Sequence, residues 1–254
     1  MPDGGKIYLN RFSRSERAIH WIHAAAFFVL LGSGLVLYLP SLAGIGNRAF
    51  VKDVHLYTAI AWALALLAVV LFGDRRGLRR TLNALDGFDV DDRLWLRRYP
   101  TRQGRFNAGQ KLNAAVTAAF AVLFAVSGIL LWYGERDTRF RFAGTIVLHD
   151  GLMWISLVLL AGHLYLSLIY PRTRHSLRGI VRGDVELQWA REHHPKWVQE
   201  VLASGQGIED QARPQSGRLG PSPGRGSAAQ VSPADGDCST IGRNSPTLKG
   251  FQSA

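Results

Sequence analysis

The stretch TIVLHDGLMWISLVLLAGHLYLSLIY, Thr145–Tyr170, is long and apolar enough to cross a membrane. It nonetheless carries a histidine near each end, His149 and His163, fourteen residues apart. Ionisable side chains are costly inside a bilayer and usually functional there, so the two imidazoles predict sites at two depths. Fourteen residues of helix rise about 21 Å and return to within roughly 40° of the starting direction. Both imidazoles are therefore predicted to face the same side of one helix.

Three further stretches approach the length of about 20 residues that a membrane-crossing helix needs. We predict these spans at Ile19–Leu39, Val54–Phe72 and Leu112–Tyr133, which makes four with Thr145–Tyr170. The mean hydropathy of the chain is only +0.03, because apolar blocks alternate with basic ones. The predicted fold class is an all-α membrane protein, a four-transmembrane-helix bundle.

The basic residues predict the orientation of this bundle. The chain has a net charge of +11, and most of its cations precede span one, follow span four or lie between spans two and three. The two remaining connections are short and of mixed sign. The positive-inside rule therefore places both termini and the long middle loop in the cytoplasm.

The same segmentation divides the chain into four parts. Residues 1–18 are a cytoplasmic N-terminal segment, residues 19–170 the transmembrane domain, and residues 171–200 a cytoplasmic basic and amphipathic segment. Residues 201–254 are rich in Gly, Ser, Pro and Gln without periodicity, which is typical of a disordered tail. The only cysteine, Cys238, lies in this tail, which excludes a disulfide framework, a thiolate iron–sulfur site and CxxCH haem attachment.

Four histidines pair by depth in this orientation. His20 begins span one and His163 lies near the end of span four, both on the cytoplasmic side. His55 and His149 begin spans two and four, both on the outer side. Two stacked sites, each with imidazoles from two helices, are what bis-histidine ligation of two b haems requires. His23 lies one turn from His20 on a similar face and is an alternative ligand.

Other interpretations of these features remain open. A haem-free membrane anchor or transporter is the alternative from another class, although a transporter typically shows mid-membrane acids and discontinuous helices, which the sequence lacks. Non-haem metal ligation is disfavoured, because Asp150 beside His149 is the only carboxylate in the predicted spans. Gly34 and Gly128 either let helices approach closely or leave room for a porphyrin.

Several motifs resemble one family, across roughly residues 11–200. RFSRSERAIHW before span one, FNAGQKLNA entering span three, and HD and GHLYLSL in span four are similar to the cytochrome b (gamma) subunit of membrane-bound formate dehydrogenase. The following segment SLRGIVRGDVELQWAREHHPKWVQE is similar too. The HHPKW and NAGQK motifs make the resemblance specific within the wider di-haem cytochrome b family, which includes hydrogenase cytochrome subunits.

The resemblance implies two haems b with axial histidine ligands. His20 and His163 would ligate the iron of the cytoplasmic-side haem, and His55 and His149 that of the outer haem, which is the pairing that depth already predicts.

The resemblance also implies a quinone site beside the inner haem. Its residues would be Asn107, Gly109 and Gln110 of FNAGQK, since a quinone's carbonyl oxygens need hydrogen-bond donors in an apolar pocket. From the residues alone, NAGQK also fits an interfacial helix start with Asn107 as N-cap.

The implied function is that of a membrane-anchoring electron-transfer subunit. Electrons would pass from an iron–sulfur (beta) subunit through two haems to a quinone, while a molybdenum or tungsten catalytic (alpha) subunit oxidises formate. No formate-oxidising site is expected in this chain. The alternative within the same chemistry is the cytochrome b subunit of another respiratory dehydrogenase, such as hydrogenase.

Overall fold

The computed structural model describes residues 6–204 of the chain. The nine helices of this part are α1 (Arg14–Tyr38), α2 (Arg48–Phe72), α3 (Arg75–Asp86), α4 (Val90–Leu96), α5 (Ala108–Gly134), α6 (Ala143–Leu164), α7 (Leu177–Arg182), α8 (Leu187–His193) and α9 (Pro195–Ala203). The two strands are β1 (Tyr8–Asn10) and β2 (Asp184–Glu186). Of the predicted tail, residues 201–203 complete α9, and residues 205–254 lie outside the described part.

Four of the helices are long and apolar enough to cross a membrane: α1, α2, α5 and α6, the last continued by a π-helical turn over Tyr165–Ile169. The four predicted spans are thereby confirmed. At most 17% of the most apolar window of each helix is buried within the protein. Their apolar faces therefore point outward, as lipid-facing helices require.

Three of the four long helices, α1, α2 and α5, begin before the apolar runs that predicted them, because polar N-cap residues set their first turns. Ser13 and Glu16 form a capping box that starts α1. Asn47 caps α2 by accepting from the N–H groups of the next helical residues, and Asn107 caps α5. Each cap pairs N–H groups that a helix start otherwise leaves without partners.

The two strands join distant parts of the chain into a small domain, which we call the cap: β1, β2, α8 and α9. β1 pairs antiparallel with β2, so that Leu9 lies opposite Val185. The buried hydrophobic core of the cap consists of Leu9, Val185, Trp189, Ala190, Trp197 and Val198. The N-terminal segment and the segment after α6 are thus one unit at one end of the bundle.

The long loop between α2 and α5 lies at the same end. Lys196 of α9 pairs with Asp89 at 2.9 Å and with Asp91, at the start of α4. At the other end, Lys52 and Glu135 join the two short connections through a 2.6 Å ion pair. All three arginine-rich segments therefore share one end of the bundle.

A buried cluster of charged side chains holds the segments at this end together. Arg105 donates to the Glu16 carboxylate at 2.7 Å and to the Thr81 hydroxyl at 2.8 Å. Arg11 donates to the carbonyl oxygen of Arg105 at 2.8 Å, and Arg105 donates in return to that of Arg11. Burial, and then the charge of Arg105, lowers the pKa of Arg11 to about 9. These two arginines therefore connect the N-terminal segment to the long loop between α2 and α5.

His194 connects the cap to the long loop. Its side chain is buried beside Trp189 and Trp197. Burial, and then the positive charge of Arg11, lowers the pKa of His194 to about 3. The imidazole is therefore neutral near pH 7, and its Nδ1–H donates to the carbonyl oxygen of Gly104 at 2.7 Å.

Candidate functional site

Two helix hairpins frame the candidate site. α1 packs along α2, and α5 packs along α6, whereas few close backbone contacts join one hairpin to the other. Histidine rings face each other between the hairpins at two levels. A space between facing helices of a bundle is where such folds hold cofactors.

The structure brings together the four histidines that were predicted to pair. The rings of His20 in α1 and His163 in α6, the inner pair, have centroids 6.3 Å apart. The rings of His55 in α2 and His149 in α6, the outer pair, have centroids 6.2 Å apart. Two imidazoles on opposite sides of one metal ion, each with a bond of about 2 Å, place their centroids about 6 Å apart. Both pairs therefore have the separation that one intervening metal ion requires.

His23 occupies a different position from its neighbour His20. Its ring lies against Trp62, with centroids 5.8 Å apart, and against Phe27 at 6.3 Å. The ring that faces His163 is that of His20. The geometry thus favours His20 over His23 as the member of the inner pair.

Two serines that the sequence analysis did not single out contact the outer pair. Ser33 Oγ lies 2.8 Å from His55 Nδ1, and Ser127 Oγ lies 2.8 Å from His149 Nδ1. Each serine precedes its histidine by 22 residues and directly precedes a glycine. The repeated Ser-Gly pair at this fixed spacing is a sequence signal that could have identified both residues.

The glycines after these serines lie against the same imidazoles. A Cβ atom at Gly34 would lie 3.6 Å from Cε1 of His55, and one at Gly128 would lie 3.6 Å from Cε1 of His149. Contacts of that length are ordinary, so packing within the protein does not itself demand glycine here. The missing side chains are available as space for a bound group.

The residues predicted to bind a quinone form the start of α5. The side-chain oxygen of Asn107 accepts from the Gln110 backbone N–H at 2.9 Å, and the Gln110 side-chain oxygen accepts from the Asn107 N–H at 3.1 Å. A Cβ atom at Gly109 would lie 3.0 Å from the Trp95 ring. Within the described residues, neither side-chain amide NH₂ group donates to a protein atom. Asn107 is thus an N-cap, and both amides retain donors.

Comparison with known proteins identifies the family to which the chain belongs. Residues 11–183 match the model of the prokaryotic cytochrome b561 family, which is more than half of the chain. The chain belongs to this family. With its four apolar helices, this cytochrome is a multi-pass membrane protein. Membership in a family of b-type cytochromes implies haem b as the cofactor.

Individual relatives of this cytochrome are formate dehydrogenase subunits by name. The cytochrome b556 subunit of Haemophilus influenzae formate dehydrogenase is 25% identical over 83% of this chain and 90% of its own length. In Escherichia coli K12, the cytochrome b556(fdo) subunit is 28% identical over 75% and 92%. The nitrate-inducible enzyme's cytochrome b556(Fdn) subunit is 23% identical over 73% and 88%. The resemblance predicted from the motifs is confirmed by these relatives.

The residues between the hairpins fit haem b. Each level supplies two imidazoles, and no group of three or more His, Cys, Asp or Glu side chains within residues 6–204 could hold a bare metal ion. Two imidazoles leave the remaining positions of an iron to a non-protein ligand such as a porphyrin. The buried indole N–H of Trp62, beside His23, has no hydrogen-bond partner in the described part of the chain. A bound group with polar atoms would satisfy it.

Proposed function

We propose that this cytochrome is the membrane-anchoring electron-transfer subunit of a formate dehydrogenase, carrying electrons from an iron–sulfur partner through two b haems to a quinone. The observation that carries the proposal is the pair of facing imidazoles at each of two depths. The names of the relatives favour formate dehydrogenase over hydrogenase as the complex. Bound haem would supply one-electron chemistry through its iron.

The histidines hold the two redox centres at fixed positions in this proposal. His20 and His163 ligate the inner iron, and His55 and His149 ligate the outer one. His149 and His163 lie on one helix, where fourteen residues place the two levels about 21 Å apart. Haems held by the two pairs would supply a route for electrons between the two levels.

The proposed orientation places the inner pair toward the cytoplasm and both termini inside. It is supported by the arginine-rich segments that share one end of the bundle with the cap. The proposed location is the bacterial inner membrane. The iron–sulfur (beta) subunit, together with a molybdenum or tungsten catalytic (alpha) subunit, would bind at the opposite, outer end.

The proposed quinone site lies at the start of α5. The amide NH₂ groups of Asn107 and Gln110 are donors suited to the carbonyl oxygens of a quinone, and Gly109 lies between these residues in the chain. Reduction of one quinone to quinol takes two electrons and two protons. At the cytoplasmic end of the bundle, those protons come from cytoplasmic water.

Haem stoichiometry tests the proposal. The complex purified through this chain is expected to contain two acid–acetone-extractable b haems per cytochrome chain, because there are two imidazole pairs. It is also expected to retain molybdenum or tungsten and iron–sulfur subunits, and formate should reduce its haems. A pyridine haemochrome assay that gives one haem or fewer after full reconstitution would contradict the proposed pairing.

A further inference from the structure

The outer pair differs from the inner pair in its hydrogen bonds. His55 and His149 each have a serine hydroxyl at 2.8 Å from Nδ1. Within residues 6–204, neither His20 nor His163 makes a side-chain hydrogen bond. The hydroxyl contacts are therefore a property of one level of the bundle alone.

The direction of these hydrogen bonds follows from what else each hydroxyl does. Ser33 Oγ lies 2.8 Å from the carbonyl oxygen of Val29, and Ser127 Oγ lies 2.7 Å from that of Leu123. A hydroxyl has one proton, and a carbonyl oxygen only accepts, so that proton is donated to the backbone. The serine oxygen must then accept from the imidazole Nδ1–H. Each outer imidazole is thereby held as the tautomer whose Nε2 lone pair is open to a metal ion.

We propose that Ser33 and Ser127 are positioning residues that fix the tautomer of the outer haem ligands and lower the reduction potential at that level. The proposal rests on the proposed function, in which His55 and His149 are axial ligands. Accepting a hydrogen bond from Nδ1–H increases the basicity of the coordinated imidazole. A more basic ligand stabilises ferric over ferrous iron and thus lowers the potential. Because the inner pair lacks such acceptors, the potential difference favours electron flow from outer to inner level.

The two serines make equivalent contacts. Each lies 2.8 Å from Nδ1 of its histidine, and each donates its proton to a carbonyl oxygen of its own helix. Replacement of either serine should therefore shift the outer potential in the same direction.

The test is a redox titration of both haems in the purified complex, with haem content measured on the same samples. For Ser127→Ala we expect the redox equilibrium of the outer haem to shift at least threefold toward the reduced form. At 59 mV per tenfold for one electron, this raises the reduction potential by about 28 mV. Ser33→Ala should shift it in the same direction, and the double variant should shift it most. The inner potential should stay unchanged in all three.

Three further variants separate positioning from packing. Ser33→Thr keeps the hydroxyl and should keep the wild-type potential. Ser127→Cys fills a similar volume but accepts only weakly, so an upward shift with two haems retained is expected even where Ser127→Ala loses haem. Ser167→Ala is the matched control, because the Ser167 hydroxyl donates to the Leu164 carbonyl oxygen and, within residues 6–204, makes no hydrogen bond to a histidine.

The outcomes distinguish this inference from the proposed function. Unchanged outer potentials in Ser127→Cys and in the double variant, with two haems per chain, would overturn the role of the serines while leaving the ligands in place. An outer haem that persists in His149→Ala would overturn the proposed ligand set instead.

Discussion

At the scale of single residues, substitutions in the two imidazole pairs are expected to have different effects. His55→Ala or His149→Ala should reduce the haem content from two to one and leave the inner haem reducible by quinol, because each haem needs both of its ligands. His20→Ala or His163→Ala should remove the inner haem instead. Haem content by pyridine haemochrome and absorbance change on quinol addition measure both effects.

His23→Ala is the matched control for these variants. Its ring lies against Trp62 rather than facing His163, so the variant should keep two haems. If His23→Ala loses the inner haem and His20→Ala retains it, the assignment between these neighbours is wrong.

The residues of the site were predictable from the sequence to the extent that they follow helical geometry. Depth and facing direction paired the four histidines, because both follow from the rise and twist of a helix. The same reasoning could not choose between His20 and His23, which differ by less than one turn. It also missed Ser33 and Ser127, because a serine in an apolar helix usually bonds only to its own backbone. Their contact with histidine depends on how two helices pack.

At the scale of secondary-structure elements, the start of α5 combines a helix N-cap with the proposed hydrogen-bond donors to a quinone. One substitution separates these two roles. Gln110→Glu keeps the side-chain oxygen that accepts from the Asn107 N–H, and a carboxylate is favourable at a helix start. It removes the amide donor, a hydrogen bond of about 0.5–1.5 kcal/mol. We expect two haems and normal reduction by the donor, but about three- to tenfold weaker quinone binding.

Reoxidation kinetics of the reduced haems with a quinone analogue measure this effect. Asn83→Asp is the control, because Asn83 is an exposed amide of α3, in the same loop region, that belongs to no capping box. Wild-type quinone-dependent reoxidation in Gln110→Glu would place the quinone site elsewhere in the protein.

Trp95 makes Gly109 a less selective position for such a test. A side chain at Gly109 would meet the Trp95 ring, so Gly109→Val would displace that ring of α4 as well as fill any quinone space. The sequence offered no sign of this contact, because the packing of α4 on α5 depends on the conformation of the loop between them. By contrast, the N-cap role of Asn107 follows from local sequence alone.

At the scale of the whole molecule, the proposed topology has a direct test. Alkaline phosphatase is active only outside the cytoplasm, and green fluorescent protein is reliably fluorescent only inside it. We expect phosphatase activity for fusions in the two short connections, at residues 43–47 and 135–142. We expect fluorescence for fusions after Ser204. The reverse pattern would show that the bundle has the opposite orientation in the membrane. Quinone reduction would then draw its protons from the other side.

The four spans could be predicted at this scale because hydrophobicity acts locally along the chain. The cap could not, since β1 is three residues long and its partner strand follows the last span. The mutual contacts of Arg11 and Arg105 could not be predicted either, because they join segments on either side of two spans. Such contacts depend on the assembled bundle.

The pairing of β1 with β2 determines how late during synthesis the cap can form. β1 is translated before the first hairpin, and its partner strand is made only after both hairpins have been translated. At about 5–20 residues per second, β1 waits roughly 10–35 s. A nascent chain that stalls before residue 184 therefore displays an unpaired strand edge with Leu9 uncovered. Until β2 has been made, the segment around Leu9 is therefore open to non-native strand pairing and to proteolysis.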